Sequence, residues 1–178
     1  EGGKWKAFAV GCGIHTRLGR IDPYAMASCA IDEAVRNVVA VGADPAKIAL
    51  LDNFCWADTD RREEQGLLVR CAEACHDLAV EWMMPFISGK DSLKNEYKGK
   101  DRRIAIPPTL LISALGQLAD ARQAISMDFK SAGHHIYLVG SSDGAFAGSA
   151  YAAIHGLSGG RIPKVNPLAA KVLFARLH

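Results

Sequence analysis

The sequence predicts an α/β (α+β) fold in which strands alternate with helices. Three observations carry that expectation. Short apolar runs of strand length alternate with longer stretches of helical periodicity. Polar clusters follow two of those runs directly, as they do where ligands gather outside the carboxyl ends of strands in open α/β sheets. A 178-residue chain with 49% hydrophobic and 22% charged residues has the apolar surface for one domain, or one domain plus part of another.

The elements follow in order. Trp5 to Ile14 reads as a strand. Asp22-Pro23 then supplies an N-cap followed by Pro at the first helical position. Met26, Ala30, Ala34, Val38 and Val41 recur at helical spacing, and Gly42 closes the helix. Lys47 to Leu51 is a buried-strand candidate that runs straight into Asp52-Asn53-Phe54-Cys55-Trp56. A second helix is expected from about Arg61 to Val80, with Leu67, Leu68, Cys71, Ala72, Cys75, Leu78 and Ala79 on its core side. Met83 to Ile87 reads as the next strand, ending in Ser88-Gly89-Lys90-Asp91-Ser92. Lys98, Lys100, Arg102 and Arg103, diluted by Glu96 and Asp101, read as a solvated hairpin tip. Strands are expected at 104–106 and 109–117, around Pro107-Pro108. A domain boundary falls near residue 122, giving units 1–122 and 123–178, and a new strand is expected at Ile136 to Val139.

Several functional classes are set aside. A net charge of +2 without a basic stripe gives no nucleic-acid signature. No run of about 20 apolar residues suggests a membrane span. Five cysteines, Cys12, Cys29, Cys55, Cys71 and Cys75, are odd in number and lack Cys-x-x-Cys spacing, which favours free thiols in a reducing cytosol over zinc. The chain has no initiator Met, and its opening Glu1-Gly2-Gly3 reads as part of something longer.

The polar clusters each have two readings. Ser88 to Ser92 is either a polar turn after a core strand or a loop aiming backbone N–H groups at phosphate. It is not a P-loop, because Met84 and Asp91 occupy the positions where that motif needs Gly and Ser/Thr. Asp52-Asn53 is either an Asx-turn or cap, or a strand-end carboxylate facing the same pocket. Glu33 and Asn37 lie four apart on one helix face, as hard oxygen ligands for Mg²⁺ or as a hydrogen-bonded pair; Asp32 can pair with Arg36.

A series of motifs in order makes the chain recognisable: Asp22-Pro23-Tyr24, then Asp32-Glu33-Ala34-Val35-Arg36-Asn37 through Gly42-Ala43-Asp44-Pro45, then Asp52-Asn53-Phe54. Ser88-Gly89-Lys90-Asp91-Ser92-Leu93-Lys94-Asn95-Glu96, Ile106-Pro107-Pro108-Thr109-Leu110 and Gly148-Ser149-Ala150-Tyr151 complete it. The series resembles the synthetase component of the phosphoribosylformylglycinamidine (FGAM) synthase family, in the second of its two pseudo-symmetric halves. That resemblance implies an aminoimidazole ribonucleotide (AIR) synthetase-like N-terminal domain over 1–122, whose barrel-forming mixed sheet pairs with an equivalent domain. Residues 123–178 would open an α+β C-terminal domain. The implied reaction is of purine biosynthesis: formylglycinamide ribonucleotide, ATP and glutamine-derived ammonia give the amidine, with Mg²⁺ offsetting phosphate charge.

Carried over by position, the resemblance makes Asp52, Gly89 and Lys90 ATP contacts and Ser92 the contact to substrate phosphate. Small family members carry a metal-binding Asn where this chain has Lys90, and protonated lysine cannot ligate Mg²⁺. Large single-chain members share the Gly-Lys-Asp-Ser, leaving Asp91 as the candidate ligand there. In those large forms the positions of Glu33 and Asn37 help hold Mg²⁺ at an auxiliary nucleotide site. No catalytic residue is assigned, since the family's catalytic histidine belongs to the first half. Implied partners are ATP or ADP, the ribonucleotide substrate, the first half of the enzyme, a glutaminase component and, for the isolated chain, a second copy of itself. Two alternatives stand beside this reading. One is a non-catalytic scaffold half holding a structural nucleotide. The other is an enzyme of the thiamine-phosphate kinase type, against which Lys94-Asn95-Glu96 and Arg36-Asn37 argue.

Overall fold

Local chemistry starts the first helix where expected. In the computed structural model, which describes residues 3, 5–141 and 144–178, Asp22 Oδ1 accepts from the Ala25 amide at 3.0 Å and Pro23 opens α1 (Pro23–Ala40). Its stripe of Met26, Ala30, Ala34 and Val38 is fully buried. Small residues let the helix lie close on β1 (Ala7–Ile14): a Cβ on Gly13 would stand 2.0 Å from the Ala30 carbonyl oxygen, so only glycine permits this approach.

β1 pairs antiparallel with β6 (Thr109–Leu118), which pairs antiparallel with β2 (Ile48–Cys55). β2 pairs parallel with β3 (Phe86–Ser92), giving the order β1-β6-β2-β3. α1 and α2 (Arg62–Trp82) cover one face of this sheet, where Leu50, Ile112 and Ala114 are buried. On the other face Phe8, Val10 and Ile14 stand exposed. The sheet is open and mixed, and it closes no barrel; a filled barrel takes about eight strands. No helix is long and apolar enough to cross a membrane among the described residues.

Several expected elements shift. β2 does not end at Leu51 but runs to Cys55, so Asp52-Asn53 is strand interior and neither a turn nor a cap. α2 runs past Val80 to Trp82 and is capped by Met83 at φ 56°, so Met83 and Met84 end a helix instead of beginning a strand. Along α2, Cys71, Cys75 and Leu78 are buried as expected, whereas Ala72 is exposed and Glu64, Ala74 and Trp82 take core positions. β3 begins only after Pro85 and carries Ser88 to Ser92 within it, so Gly89 makes no turn. The register between β2 and β3 moves from Leu50↔Phe86 to Leu51↔Ser88, leaving Ile87 as a one-residue bulge.

The basic run forms a hairpin, β4 (Glu96–Lys98) with β5 (Arg103–Ala105). Beyond residue 118 the described residues form a 3-10 turn at Ala121–Gln123 and two α-helices, α3 (Ala150–Ile154) and α4 (Pro167–Leu177). α4 packs on α1 and α2: Phe174 meets Trp82 edge-on at 5.3 Å, and Trp82 Nε1 donates to the Pro167 carbonyl at 2.9 Å. The strand expected at Ile136 to Val139 is irregular and exposed. A strand needs a neighbour to accept its ladder, and none lies beside it among the described residues.

Candidate functional site

Parallel pairing of β2 with β3 sets Asp52 directly beside Gly89. Asp52 lies on the helix-covered face with Leu50, two residues before it on β2, and its charge is felt by the buried Cys71 of α2. The carboxylate leans across β3, so that a Cβ on Gly89 would meet Asp52 Oδ1 at 2.2 Å. Glycine is therefore needed at position 89 for close approach, not for a bend. Partial burial raises the Asp52 pKa above its ordinary value, and the nearby Asp91 carboxylate raises it further. Hydrogen bonds from the backbone N–H groups of Lys90 and of Asp52 itself work in the opposite direction. Asp91 is near enough to act on Asp52, and no basic side chain is among the charges that do; two carboxylates so placed suit a hard divalent cation.

Lys90 and Ser92 alternate with Gly89 and Asp91 along β3 and so point to the open face. There Lys90 Nζ donates to Ser92 Oγ, and Asn53 is the cross-strand neighbour of Lys90. The five predicted residues thus do not line one pocket. They straddle an edge strand, with Asp52, Gly89 and Asp91 on one side and Lys90 and Ser92 on the other.

Glu33 and Asn37 share a face of α1, but neither bonds the other. Glu33 Oε2 accepts from the Ile14 amide at 2.8 Å, and Asn37 Nδ2 donates to the Cys12 carbonyl at 2.9 Å. His15 Nε2 stands 3.4 Å from the same Glu33 oxygen. Both side chains tie down the outer edge of β1, the strand at the opposite end of the sheet from β3. Three interstrand steps of about 4.8 Å separate them from Asp91, roughly 14 Å, so these three residues do not meet around one ion. Among the described residues, no group of three or more His, Cys, Asp or Glu side chains gathers as a metal site. Asp32 pairs with Arg36 as expected.

Sequence reasoning missed a buried ionic cluster at the exits of β2 and β3. Glu64 and Glu96 have side chains only 1% and 2% exposed, and Arg61 reaches both, at 3.6 Å and 3.3 Å. Arg103, first among its partners, pushes the Glu96 carboxyl down to about 2. Glu64 in the first turn of α2 reads from sequence as a surface residue favoured by the helix dipole, so nothing there signalled burial. Among the described residues, a cavity of about 580 Å³ lies between α1 and residues 140–141, 145–146 and 163–173, and another is lined by 129–136; both stand apart from this cluster. All five cysteines are free thiols. Burial, followed by the charge of Asp32, pushes the Cys29 thiol up to about 11.

Comparison with known proteins shows the family. The domain family described as AIR synthase related protein, N-terminal domain, matches residues 2–118. The phosphoribosylformylglycinamidine synthase subunit PurL of Gloeobacter violaceus is 35% identical over 153 residues, 85% of this chain and 20% of that protein. The PurL subunit of Deinococcus radiodurans is 34% identical over 164 residues, 88% of this chain and 22% of that protein. Among solved structures, T. maritima PurL complexed with AMPPCP is similar with a TM-score of 0.56 and 27% identity, covering 68% of this chain and 20% of that one. The same protein complexed with FGAR gives 0.57 at 26% identity, over 71% of this chain and 19% of that one. The chain spans about a fifth of the length of these relatives. With the matched domain covering most of the chain and the sheet, helices and glycine-bearing strand in place, the chain belongs to the AIR synthase related protein family.

Proposed function

We propose that this chain is part of an ATP-dependent carbon–nitrogen ligase of purine biosynthesis, a phosphoribosylformylglycinamidine synthase, and supplies one wall of its nucleotide site. The observation that carries the reading is the Asp52 carboxylate laid over Gly89 between β2 and β3, within a domain whose relatives are named for that enzyme. Residues 1–122 serve as the AIR synthetase-like N-terminal-type domain of the second half, and 123–178 begin its C-terminal-type domain. The free thiols fit a cytoplasmic enzyme.

In the reaction, the amide oxygen of formylglycinamide ribonucleotide attacks the γ-phosphorus of ATP and ADP leaves. Glutamine-derived ammonia then adds to the activated carbon and inorganic phosphate departs, leaving the amidine. This chain's own residues bind and orient. Asp52 and the backbone at Gly89 and Lys90 hold the nucleotide, Lys90 neutralises phosphate charge on the open face, and Ser92 Oγ donates to the substrate phosphate. Mg²⁺, when bound, supplies positive charge against the polyphosphate, and Asp52 and Asp91 are the residues to hold it here. Glu33 and Asn37 each keep one oxygen free of the β1 edge, Oε1 and Oδ1, to serve a separate auxiliary nucleotide site. The exposed face of Phe8, Val10 and Ile14 receives the enzyme's first half, which would close the barrel, or a second copy of this chain when it is alone. A glutaminase component supplies the ammonia.

The test is Asp52→Ala in the intact protein. Loss of a charged hydrogen-bonding contact should weaken ATP binding about tenfold to a hundredfold by calorimetry. Unchanged nucleotide affinity would remove Asp52 from the site.

A further inference from the structure

The exits of β2 and β3 are stitched together by backbone before any side chain acts. The Trp56 amide donates to the Ser92 carbonyl at 2.8 Å, the Asn95 amide to the Trp56 carbonyl at 2.9 Å, and the Thr59 amide to the Leu93 carbonyl at 3.3 Å. Trp56 is wholly buried, and its Nε1 donates to the Glu64 carbonyl at 3.1 Å. Ser92 therefore stands only as still as the 56–61 segment to which it is pinned.

A chain of alternating charges holds that segment. Arg103 of β5 donates to Glu96 Oε2 of β4, which also accepts from the Asp58 amide at 3.3 Å and from Arg61 at 3.3 Å. Arg61 continues to Glu64 Oε1 at 3.6 Å, and Arg20, from the loop before α1, meets the same oxygen at 2.9 Å. The sequence of charges is Arg103, Glu96, Arg61, Glu64, Arg20, and its two carboxylates are almost wholly shielded from water. Ion pairs buried this deeply are poor sources of stability, because desolvation offsets most of the attraction. They do fix geometry, since each carboxylate oxygen accepts only from donors correctly placed. Arg61 Nε and Glu64 Oε2 have no hydrogen-bond partner among the described residues, which marks a cluster arranged for position more than for stability.

We propose that Glu96 is a positioning residue that acts through the 56–61 segment to hold the Ser92 end of β3 where it meets the substrate phosphate. This rests on the reading of Ser92 given above. Its reach is selective: the relay touches the strand exit at Ser92, whereas Asp52 and Gly89 lie three to four residues upstream and are held by β2–β3 pairing itself. Loss of the Glu96 charge should therefore loosen the phosphate end of the ribonucleotide substrate and leave the nucleotide end in place. The opposite face of the hairpin, where Tyr97 and Ile104 pair in the open, takes no part.

The experiment is steady-state kinetics of the intact enzyme with formylglycinamide ribonucleotide, ATP and ammonia. Glu96→Gln should raise KM for the ribonucleotide about tenfold, with KM for ATP and kcat each within about twofold, a loss of about 1.4 kcal/mol confined to one ligand. Arg103→Met, at an exposed end of the relay, should show the same selectivity at about threefold and covers the case in which Glu96→Gln does not fold. Tyr97→Ser should leave all constants unchanged. Equal rises in both KM values, a fall in kcat alone, no change, or a matching effect from Tyr97→Ser would each overturn the proposal. A wild-type protein unable to convert the ribonucleotide overturns the proposed function, and Ser92's role with it. An active wild type whose relay variants lack selectivity overturns the relay alone.

Discussion

Gly89→Ala is the sharpest perturbation of the β2–β3 site, because it adds one methyl group and changes no charge. Gly89 sits in extended backbone that alanine also adopts, so no strain arises from φ. The added Cβ would stand 2.2 Å from Asp52 Oδ1, 2.8 Å from its Cγ and 2.9 Å from Oδ2. The carboxylate must swing away by roughly 1 Å to restore van der Waals contact. That movement takes the charged carboxylate out of the place it holds over β3, where it would meet the nucleotide. A hydrogen bond to a charged group is worth about 1.5–3 kcal/mol, so nucleotide affinity should fall about tenfold to a hundredfold. Calorimetric titration of the intact protein with an ATP analogue measures it, with thermal unfolding run in parallel. Gly66→Ala is the matched control, since an added Cβ there meets nothing within 4 Å, and in a helix it should be neutral or stabilising by about 0.5–1 kcal/mol. Wild-type affinity in a folded Gly89→Ala protein would refute the claim that Asp52 and Gly89 act as one unit.

Three further outcomes are expected. The isolated 178-residue chain should form no amidine from ATP and ammonia, as a discontinuous assay for the product would register; robust turnover would show that one half suffices. In light scattering the same chain should be a two-fold dimer burying roughly 2,000 Å² or more in total, with the Phe8, Val10 and Ile14 face covered, and a stable micromolar monomer would count against that face as an interface. Glu96 contributes stability that is fully present above its unfolded value, near 4.5, and is lost as pH falls through its folded value of about 2. Acid unfolding of wild type should therefore gain a component between those limits that Glu96→Gln lacks; identical acid profiles would refute it.

What was legible in the sequence depended on how local the cause was. Asp22, Pro23 and the apolar stripe from Met26 to Val38 specify α1 by capping and periodicity alone, and the structure follows them to within a residue. Arg103 and Lys98 were readable as a hairpin for the same reason. β3 was read three to five residues too early, because an edge strand exposed on both sides makes no hydrophobic demand, and Ser88 to Ser92 is extended only because β2 pairs with it. The error at Ile136 to Val139 is the mirror image: apolar residues, two of them β-branched, promise a strand that no neighbour among the described residues completes. Asp52 and Gly89 each stood out in the sequence, yet their contact arises from pairing between segments 37 residues apart, which spacing along the chain does not encode. The split of Lys90 and Ser92 from Asp91 across the strand was likewise invisible without the register.

That register turns on the single extra residue at Ile87. Flatten the bulge with every residue kept, and Leu51 would face Ile87, Asp52 would face Ser88, and every later side chain of β3 would change sides. Lys90 would then share a face with Asp52, while Gly89 and Asp91 would turn to the open side. The sign of the charge beside Asp52 is thus written in the bulge, not in the identity of any residue. A lineage of such proteins could exchange Lys90, Asp91 or Ser92 one at a time and adjust the site by degrees. A change that flattened the bulge with every residue kept would instead invert its polarity in a single step, whereas deletion of Ile87 itself would leave Leu51 opposite Ser88 and Asp52 opposite Gly89.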